Sequence, residues 1–327
     1  MRALLWVVLL VSGLWGGYWF VGARAVERGA EAAFASGKGL ELTRDSLTVQ
    51  GFPNRFDLTV TAPSAYDPAN GIGWSAPFLQ VFSMTWKPWH LIAALPDTQT
   101  ITLPDQTLTL TSSRMMASLM LHPGTDLALN ETTIEVETPA LTSDQGWAVS
   151  AAKSVFGTRE DPSQKNTHRI GLEVKDIALD PAFAAKLTDA ALPAAVEEIH
   201  LDSFVSFSAP IDRHAGETGP KLTAIKVQDS RILWGDLQIL LEGSLTAGAD
   251  GLAEGALTFH VTNWRKLPPL LAALGAITPD FAPTLTRGLE VMAAAGNDPQ
   301  VLDLVLKSAN GRLNLGPFPL GPAPRLN

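Results

Sequence analysis

Six histidines, His90, His122, His168, His200, His214 and His260, are the residues best suited to metal or proton chemistry. No two stand at HxH or HxxxH spacing, the separations that turn two imidazoles toward one ion. His200 and His260 fall in strand-like stretches, where a polar face is the expected place for both. General acid–base work needs two carboxylates within reach of one substrate. Glu197 and Glu198 are adjacent and precede a strand, which points to a solvated edge; Asp176 and Asp180 flank "IAL" and would meet only across a turn. There is no cysteine, hence no thiolate ligand, disulfide or cysteine nucleophile. G-x-S-x-G elbows, Walker loops and dinucleotide fingerprints are also missing. The expectation is a protein that is not an enzyme, with no catalytic residues, no metal site and no cofactor.

Binding chemistry has better candidates. Trp74, Phe78, Phe82, Trp86 and Trp89 form the densest aromatic set beyond the N-terminal segment. Such sets usually fill a core beneath a sheet. The competing reading is the lining of an acyl-chain groove or a membrane-proximal rim. Lys87, beside Pro88 and Trp89, would then meet a phospholipid headgroup, since Trp and Lys favour interfaces. Pro88 is expected to end a strand at a corner. Met115, Met116 and Met120 add soft apolar surface. In "LTVQGFPNRFDLTV", Phe52 to Arg55 fits a β-turn with Pro53 second and Asn54 third. Arg55 then sits at a hairpin corner, as a solvated arginine or as a phosphate ligand.

The elements that position these residues begin with "ALLWVVLLVSGLWGGYWFVGA", Ala3 to Ala23, which carries no charge. As a helix it spans the roughly 30 Å hydrocarbon core of a bilayer. Arg2 precedes it and belongs on the cytoplasmic side, while Trp15, Tyr18, Trp19 and Phe20 gather where an aromatic belt would sit. A cleaved signal peptide is the rival, with small residues at Val21-Gly22-Ala23 and Ala23-Arg24-Ala25. The apolar run is longer than the roughly 7–15 residues of a signal core, which favours a retained anchor. "RAVERGAEAAFASGKG" continues the helix until Gly37 and Gly39 stop it.

The period then changes to two, the mark of strands with one dry face. Leu47 and Val49 show it, then Phe56, Leu58 and Val60, and Phe82, Met84 and Trp86. It recurs through Ile134 and Val136, Ile170, Leu172 and Val174, Leu237, Ile239 and Leu241, and on to Leu313 and Leu315. Helices are few: "DPAFAAKLTDAAL", capped by Asp180 with Pro181 in its first turn, "NWRKLPPLLAALGA", interrupted early by two prolines, and "PTLTRGLEVMAAAG". The expected fold is mainly β, a large curled antiparallel-rich sheet with a few helices, preceded by one N-terminal transmembrane helix. The expected domains are an anchor over 1–24, a helical extension over 25–39 and a periplasmic β-rich domain over 40–327. The polar loop 209–221 is a candidate internal boundary. One-faced strands in this number leave a large apolar sheet face that a second sheet, helices or a ligand must cover.

The anchor, the extension, "GFPNRFDL", "GWSAPFLQVFSMTWKPWHL" and the closing "LKSANGRLNLGPFPLGPAPRL" together resemble the domain-of-unknown-function family numbered 2125, of Gram-negative cell envelopes. That resemblance covers nearly the whole chain and implies no reaction. "GALTFHVTNW" and the "NGRLNLGPFPL" ending are similar to AsmA-like envelope proteins, which implies a curled sheet with an apolar groove and a role in moving phospholipid. A net charge of −9 with pI near 5.1 argues against nucleic acid and against docking on anionic lipid by charge.

The expected location is the inner membrane, crossed once by Ala3 to Ala23, with the body in the periplasm. The expected function is non-catalytic binding or transfer of lipid on an apolar sheet groove. The alternative is an envelope scaffold or assembly factor that binds a protein partner. The candidate lipid-binding residues are Trp74, Phe78, Phe82, Trp86, Lys87, Trp89 and Arg55.

Overall fold

The computed structural model describes residues 1–37, 39–294, 296, 298–316 and 318–326. Strands take 50% of the residues and helices 22%, so the fold is mainly β, as the alternation predicts. The chain divides into two compact units, Met1–Gly146 and Trp147–Asn327.

The first unit opens with α1 (Arg2–Ser36), one continuous helix in which the predicted span and its extension run together until Gly37 ends it. It is long and apolar enough to cross a membrane. Twelve short strands follow: β1 (Glu41–Thr43), β2 (Ser46–Gln50), β3 (Arg55–Thr61), β4 (Ser64–Asp67), β5 (Ile72–Ser75), β6 (Phe78–Met84), β7 (Lys87–Leu95), β8 (Thr98–Thr102), β9 (Thr107–Thr111), β10 (Arg114–Leu121), β11 (Leu129–Glu137) and β12 (Ala140–Ser143). They are halves of longer strands, each bent once. One row pairs β2–β3–β6–β7–β10–β11. The other pairs β1–β4–β5–β8–β9–β12, and every pairing is antiparallel.

The bends have a chemical cause. Pro63, Pro77, Pro96 and Pro139 stand at four of them, and proline cannot donate to a ladder. Ala62 and Thr138 take positive φ at two of the same corners. The remaining backbone groups still pair across the fold line: Ala62 N–H with Pro77 O at 2.8 Å, Ala76 N–H with Pro63 O at 3.1 Å, Ser112 N–H with Asp97 O at 2.9 Å. A line of corners thus curls this sheet without opening it. Pro88 does not end a strand, contrary to the sequence expectation. It is the second residue of β7, next to a register irregularity at Ser83/Met84, where a missing N–H costs little.

The second unit is a meander. β13 (Ala148–Ser150) pairs with β15, and then β14 (Lys153–Glu160), β15 (Thr167–Ala178), β16 (Ala195–Phe207), β17 (Leu222–Trp234), β18 (Leu237–Ala247), β19 (Ala253–Thr262), β20 (Val301–Ala309), β21 (Arg312–Leu315) and β22 (Phe318–Pro322) follow, each antiparallel to the next. Its helices are α2 (Pro181–Ala185), α3 (Ala215–Thr218), α4 (Leu267–Ala273) and α5 (Ala282–Ala293).

Asp180 caps α2 as expected, its Oδ1 accepting from the Ala182 and Phe183 N–H groups at 2.9 and 3.1 Å. The helix is shorter than its pattern and ends at Ala185; a 3₁₀ turn at Thr188–Ala190 and a left-handed Ala191 follow. Pro268 and Pro269 lie in the first turn of α4, where proline fits, instead of interrupting it. The loop 209–221 lies inside this unit, between β16 and β17, and carries α3.

Segments 179–193 and 263–293 fold back over one end of the second sheet. Leu187, Val196, Trp234, Leu237, Val261, Trp264, Leu270, Leu289 and Leu302 are all buried there. Two indole N–H groups inside this core find backbone carbonyls: Trp234 donates to Pro193 O at 2.8 Å, and Trp264 to Pro299 O at 3.1 Å. Satisfied this way, large aromatics can be buried without an orphaned donor.

Candidate functional site

In the first unit the register assembles an apolar face from strands 55–137. Leu58, Val81, Ala93, Ala117 and Ile134 stand side by side across β3, β6, β7, β10 and β11. Phe56, Ser83, Leu91, Leu119 and Thr132 form the next rank, and Leu95, Met115 and Val136 lie on the other side. Phe56, Val60 and Val136 are buried, but Leu58, Val81, Leu91, Ala93, Leu95, Met115, Ala117, Leu119 and Ile134 are only half-buried. A sealed core would bury such residues completely.

The second row of this unit continues the same face. Ala65, Trp74, Ile101 and Leu108 are in register across β4, β5, β8 and β9. Gln99 joins the two rows at the corner. It is 3% exposed; its Oε1 accepts from Trp74 Nε1 at 2.9 Å, and its Nε2 lies 3.1 Å from Met115 Sδ. A buried amide held this way fixes the angle between the rows.

The opposite face is mixed, with Phe82, Ile92, Ala94 and Met116 beside Asp57, Thr59, Gln80 and Ser118. Arg55 Nη2 meets Asp57 Oδ2 at 2.7 Å, and its guanidinium lies 5.9 Å from the Phe82 ring. Asp57 and Phe82 are ladder partners. His90 Nε2 bonds Ser118 Oγ at 3.0 Å on the same side.

The predicted aromatic set is therefore divided. Trp74 lies on the apolar face, and so does Trp89, which alternates with Leu91 along β7. Phe82 and Arg55 meet on the opposite, mixed face. Phe78 opens β6 and is part-exposed, Trp86 occupies the β6–β7 turn at 57% exposure, and Lys87 starts β7. Among the described residues no ring contact joins two of the five aromatics. β6 carries apolar side chains on both faces, Leu79 and Val81 on one, Phe78, Phe82 and Met84 on the other. Period-two reading picks out only one of them. The ranks at Leu91–Leu95 and Met115–Leu121 were hidden for the same reason: "HLIAAL" and "MMASLML" are apolar at almost every position.

The turn that precedes Arg55 is tied to α1. The Phe52–Pro53 peptide is cis, and Gly51 O accepts from Asn54 N–H at 3.2 Å and Arg55 N–H at 2.9 Å. Pro53 is thus third in a turn that starts at Gly51, one place later than the sequence reading put it. Trp15 Nε1 donates to Pro53 O at 3.0 Å, Tyr18 Oη to Thr85 O at 2.7 Å, and Trp19 Nε1 to Arg55 O at 2.7 Å. Trp19, Ala23 and Phe56 form a small buried cluster with Val26 and Val49 against it. Gly22 is needed there: a Cβ at this position would come within 2.4 Å of Phe56 Cζ.

Several of the titratable groups are engaged structurally, while His168 Nδ1 and His200 Nδ1 are buried without a hydrogen-bond partner. His260 lies on a polar face as expected, with Nδ1 2.7 Å from Asp303 Oδ1 and Nε2 3.4 Å from Glu242 Oε1. The bond to Asp303, helped by Glu242, raises its pKa above the ordinary histidine value. His200 shares a ladder with Glu173 and Arg231. His168 is buried, and desolvation lowers its pKa. Glu198 pairs with Arg231 at 2.9 Å, which lowers the carboxyl pKa, while Glu197 accepts from Gly235 N–H at 2.8 Å. Asp180 serves its cap and also accepts from Ala148 N–H at 3.1 Å. Among the described residues no group of three His, Asp or Glu side chains is placed to hold a metal ion.

No curated protein and no solved structure matches the chain, so the looser likeness to AsmA-like proteins finds no support there. A family profile matches residues 19–324, from the α1 residue that bonds Arg55 to within a few residues of the C-terminus. The chain belongs to the DUF2125 family, described as uncharacterized protein conserved in bacteria.

Proposed function

We propose that this protein is held in the inner membrane by α1, with its body in the periplasm, and that it binds or passes on lipid along the apolar face of the first unit without covalent chemistry. The observation that carries this reading is the incomplete burial of the apolar ranks around Ala93 and Ala117. Contiguous apolar surface left open to solvent marks a place where something apolar docks. An acyl chain suits it, gaining roughly 0.8 kcal/mol for each CH₂ taken out of water. The face offers few polar side chains, so selectivity would lie with chain length more than headgroup.

Retention of α1 is supported by its packing. Cleavage after Ala23 or Ala25 would strip Trp15, Tyr18, Trp19 and Ala23 from the sheet and leave the Pro53, Thr85 and Arg55 carbonyls without these partners.

Photo-crosslinking in intact cells tests the reading. A photoreactive phenylalanine at Ala93 or Ala117 is expected to capture phospholipid, and one at Gln80, on the other face, is not. Capture of a protein from the apolar face would favour the scaffold role instead, and equal lipid capture at all three positions would refute lipid binding on that face.

A further inference from the structure

The length of α1 and its bonds to the sheet bear on where the bilayer ends. From Arg2 to Trp15 a helix advances about 20 Å, and it reaches the far side of a ~30 Å hydrocarbon core only near Gly22. Trp15, Tyr18 and Trp19 therefore stand below that boundary if Arg2 marks the cytoplasmic one. These are the residues that hold the turns at Gly51–Asn54 and Thr85–Trp86.

We propose that these two turns are sunk into the outer leaflet of the membrane that α1 crosses, so that the end of the first sheet meets acyl chains directly. The inference rests on the retained anchor. Three independent features agree with it. Large apolar side chains at and beside the turns are exposed, Phe52 at 58%, Trp86 at 57% and Met84 at 42%, with Asn54 the one exposed polar side chain in the two turns. They continue the apolar surface of α1, since Phe20 is 60% exposed and stacks on Phe52 with centroids 5.9 Å apart.

Several turn carbonyls also have internal donors in place of water. Carbonyls in hydrocarbon need internal donors. Those of Pro53, Arg55 and Thr85 receive them from α1, and Asn54 O receives the Thr85 N–H at 3.0 Å. Arg55, paired with Asp57, points its charge along β3 toward the headgroups. A lipid leaving the leaflet here would reach the apolar ranks near Leu91 without crossing water.

The native chain lacks cysteine, which makes single-site labelling direct. The full chain is reconstituted in vesicles of phosphatidylethanolamine and phosphatidylglycerol, with a nitroxide at F52C, W86C, L9C or A69C. Leu9 reports the span, and Ala69 the opposite end of the sheet. Labels at 52 and 86 are expected to collide with oxygen and to lose collisions with an aqueous nickel chelate, as at Leu9, while Ala69 stays open to the chelate. If Leu9 is shielded but 52 and 86 behave like Ala69, the sunken turns are refuted and the anchor stands. If Leu9 is itself open to the chelate, the anchor reading fails and this inference falls with it.

Discussion

Both units present an antiparallel sheet with an apolar face, and in the second unit helical segments roof one end of that face. Between its strands the second unit inserts two long segments, 179–193 and 263–293, whose helices pack Leu187, Leu270 and Leu289 onto the sheet. The connections of the first unit are turns of a few residues: 51–54, 68–71, 85–86, 103–106 and 122–128. None holds an element that could cover a face. Its one helix, α1, touches the sheet near Val49 and Phe56 and leaves the ranks from Leu58 to Ile134 half-exposed. Alternation alone builds the face, and the connections decide whether it closes.

The difference is measurable as stability. Trp264 is fully buried under the helices, so Trp264→Ala should cost the second unit about 3–5 kcal/mol, read by denaturant unfolding of the detergent-solubilised chain. A smaller loss would mean that the roof is loose. Where α1 meets the first sheet, Gly22→Val drives a side chain into Phe56 and should cost about 1–3 kcal/mol. Gly17, which has nothing within 4 Å, is the control: Gly17→Val should leave the melting of the first unit unchanged. On the incompletely covered face, Leu91→Ala should cost less than Trp264→Ala, about 1–2 kcal/mol, because part of its transfer term is absent and no closed cavity forms. A loss equal to that of Trp264→Ala would mean the face is sealed in solution.

The smallest effects are those of pH, and they run in opposite directions. His260 has a raised pKa through Asp303 and Glu242, so its contribution is full below the unfolded value near 6.5 and is lost as pH rises through the folded one. His168 has a lowered pKa through burial, so its folded site favours the neutral ring, and stability is lost as pH falls below about 6.5. Proton NMR titration should find the His260 midpoint above that value and the His168 midpoint below it. Coincident midpoints would remove both effects.

How much of this could be read in the sequence differs between the same two regions. The long apolar helix, the Asp180 cap and most of the strand positions of the second unit follow from local signals: an uncharged apolar run, an N-cap before proline, clean alternation at Leu237, Ile239 and Leu241. The first unit was harder. Its strands bend at Pro63, Pro77, Pro96 and Pro139, so each long strand reads as two short ones. β7 and β10 are apolar on both sides, which erases the period.

The site suffered most. Trp74, Phe78, Phe82, Trp86 and Trp89 are close in sequence, but alternation and a turn separate them in space. Gln99, which joins Trp74 to Met115, gave no signal, since one glutamine among polar neighbours looks like any surface residue. Nothing local announces that Trp15, Tyr18 and Trp19 will bond carbonyls more than thirty positions away.

The most direct test of the open face compares lipid retained by the full wild-type chain with that retained by the double variant Ala93→Gln, Ala117→Gln, both purified in the same detergent and extracted for mass spectrometry. The two sites are ladder partners, so neutral amides are used to avoid placing two like charges opposite each other. Lipid that merely coats α1 is common to both and cancels. Since neither site is fully buried, the variant is expected to keep the wild-type unfolding transition and to lose bound phospholipid. Equal phospholipid in the two proteins, or collapse of the first unit on adding the two amides, would contradict an uncovered, lipid-binding face.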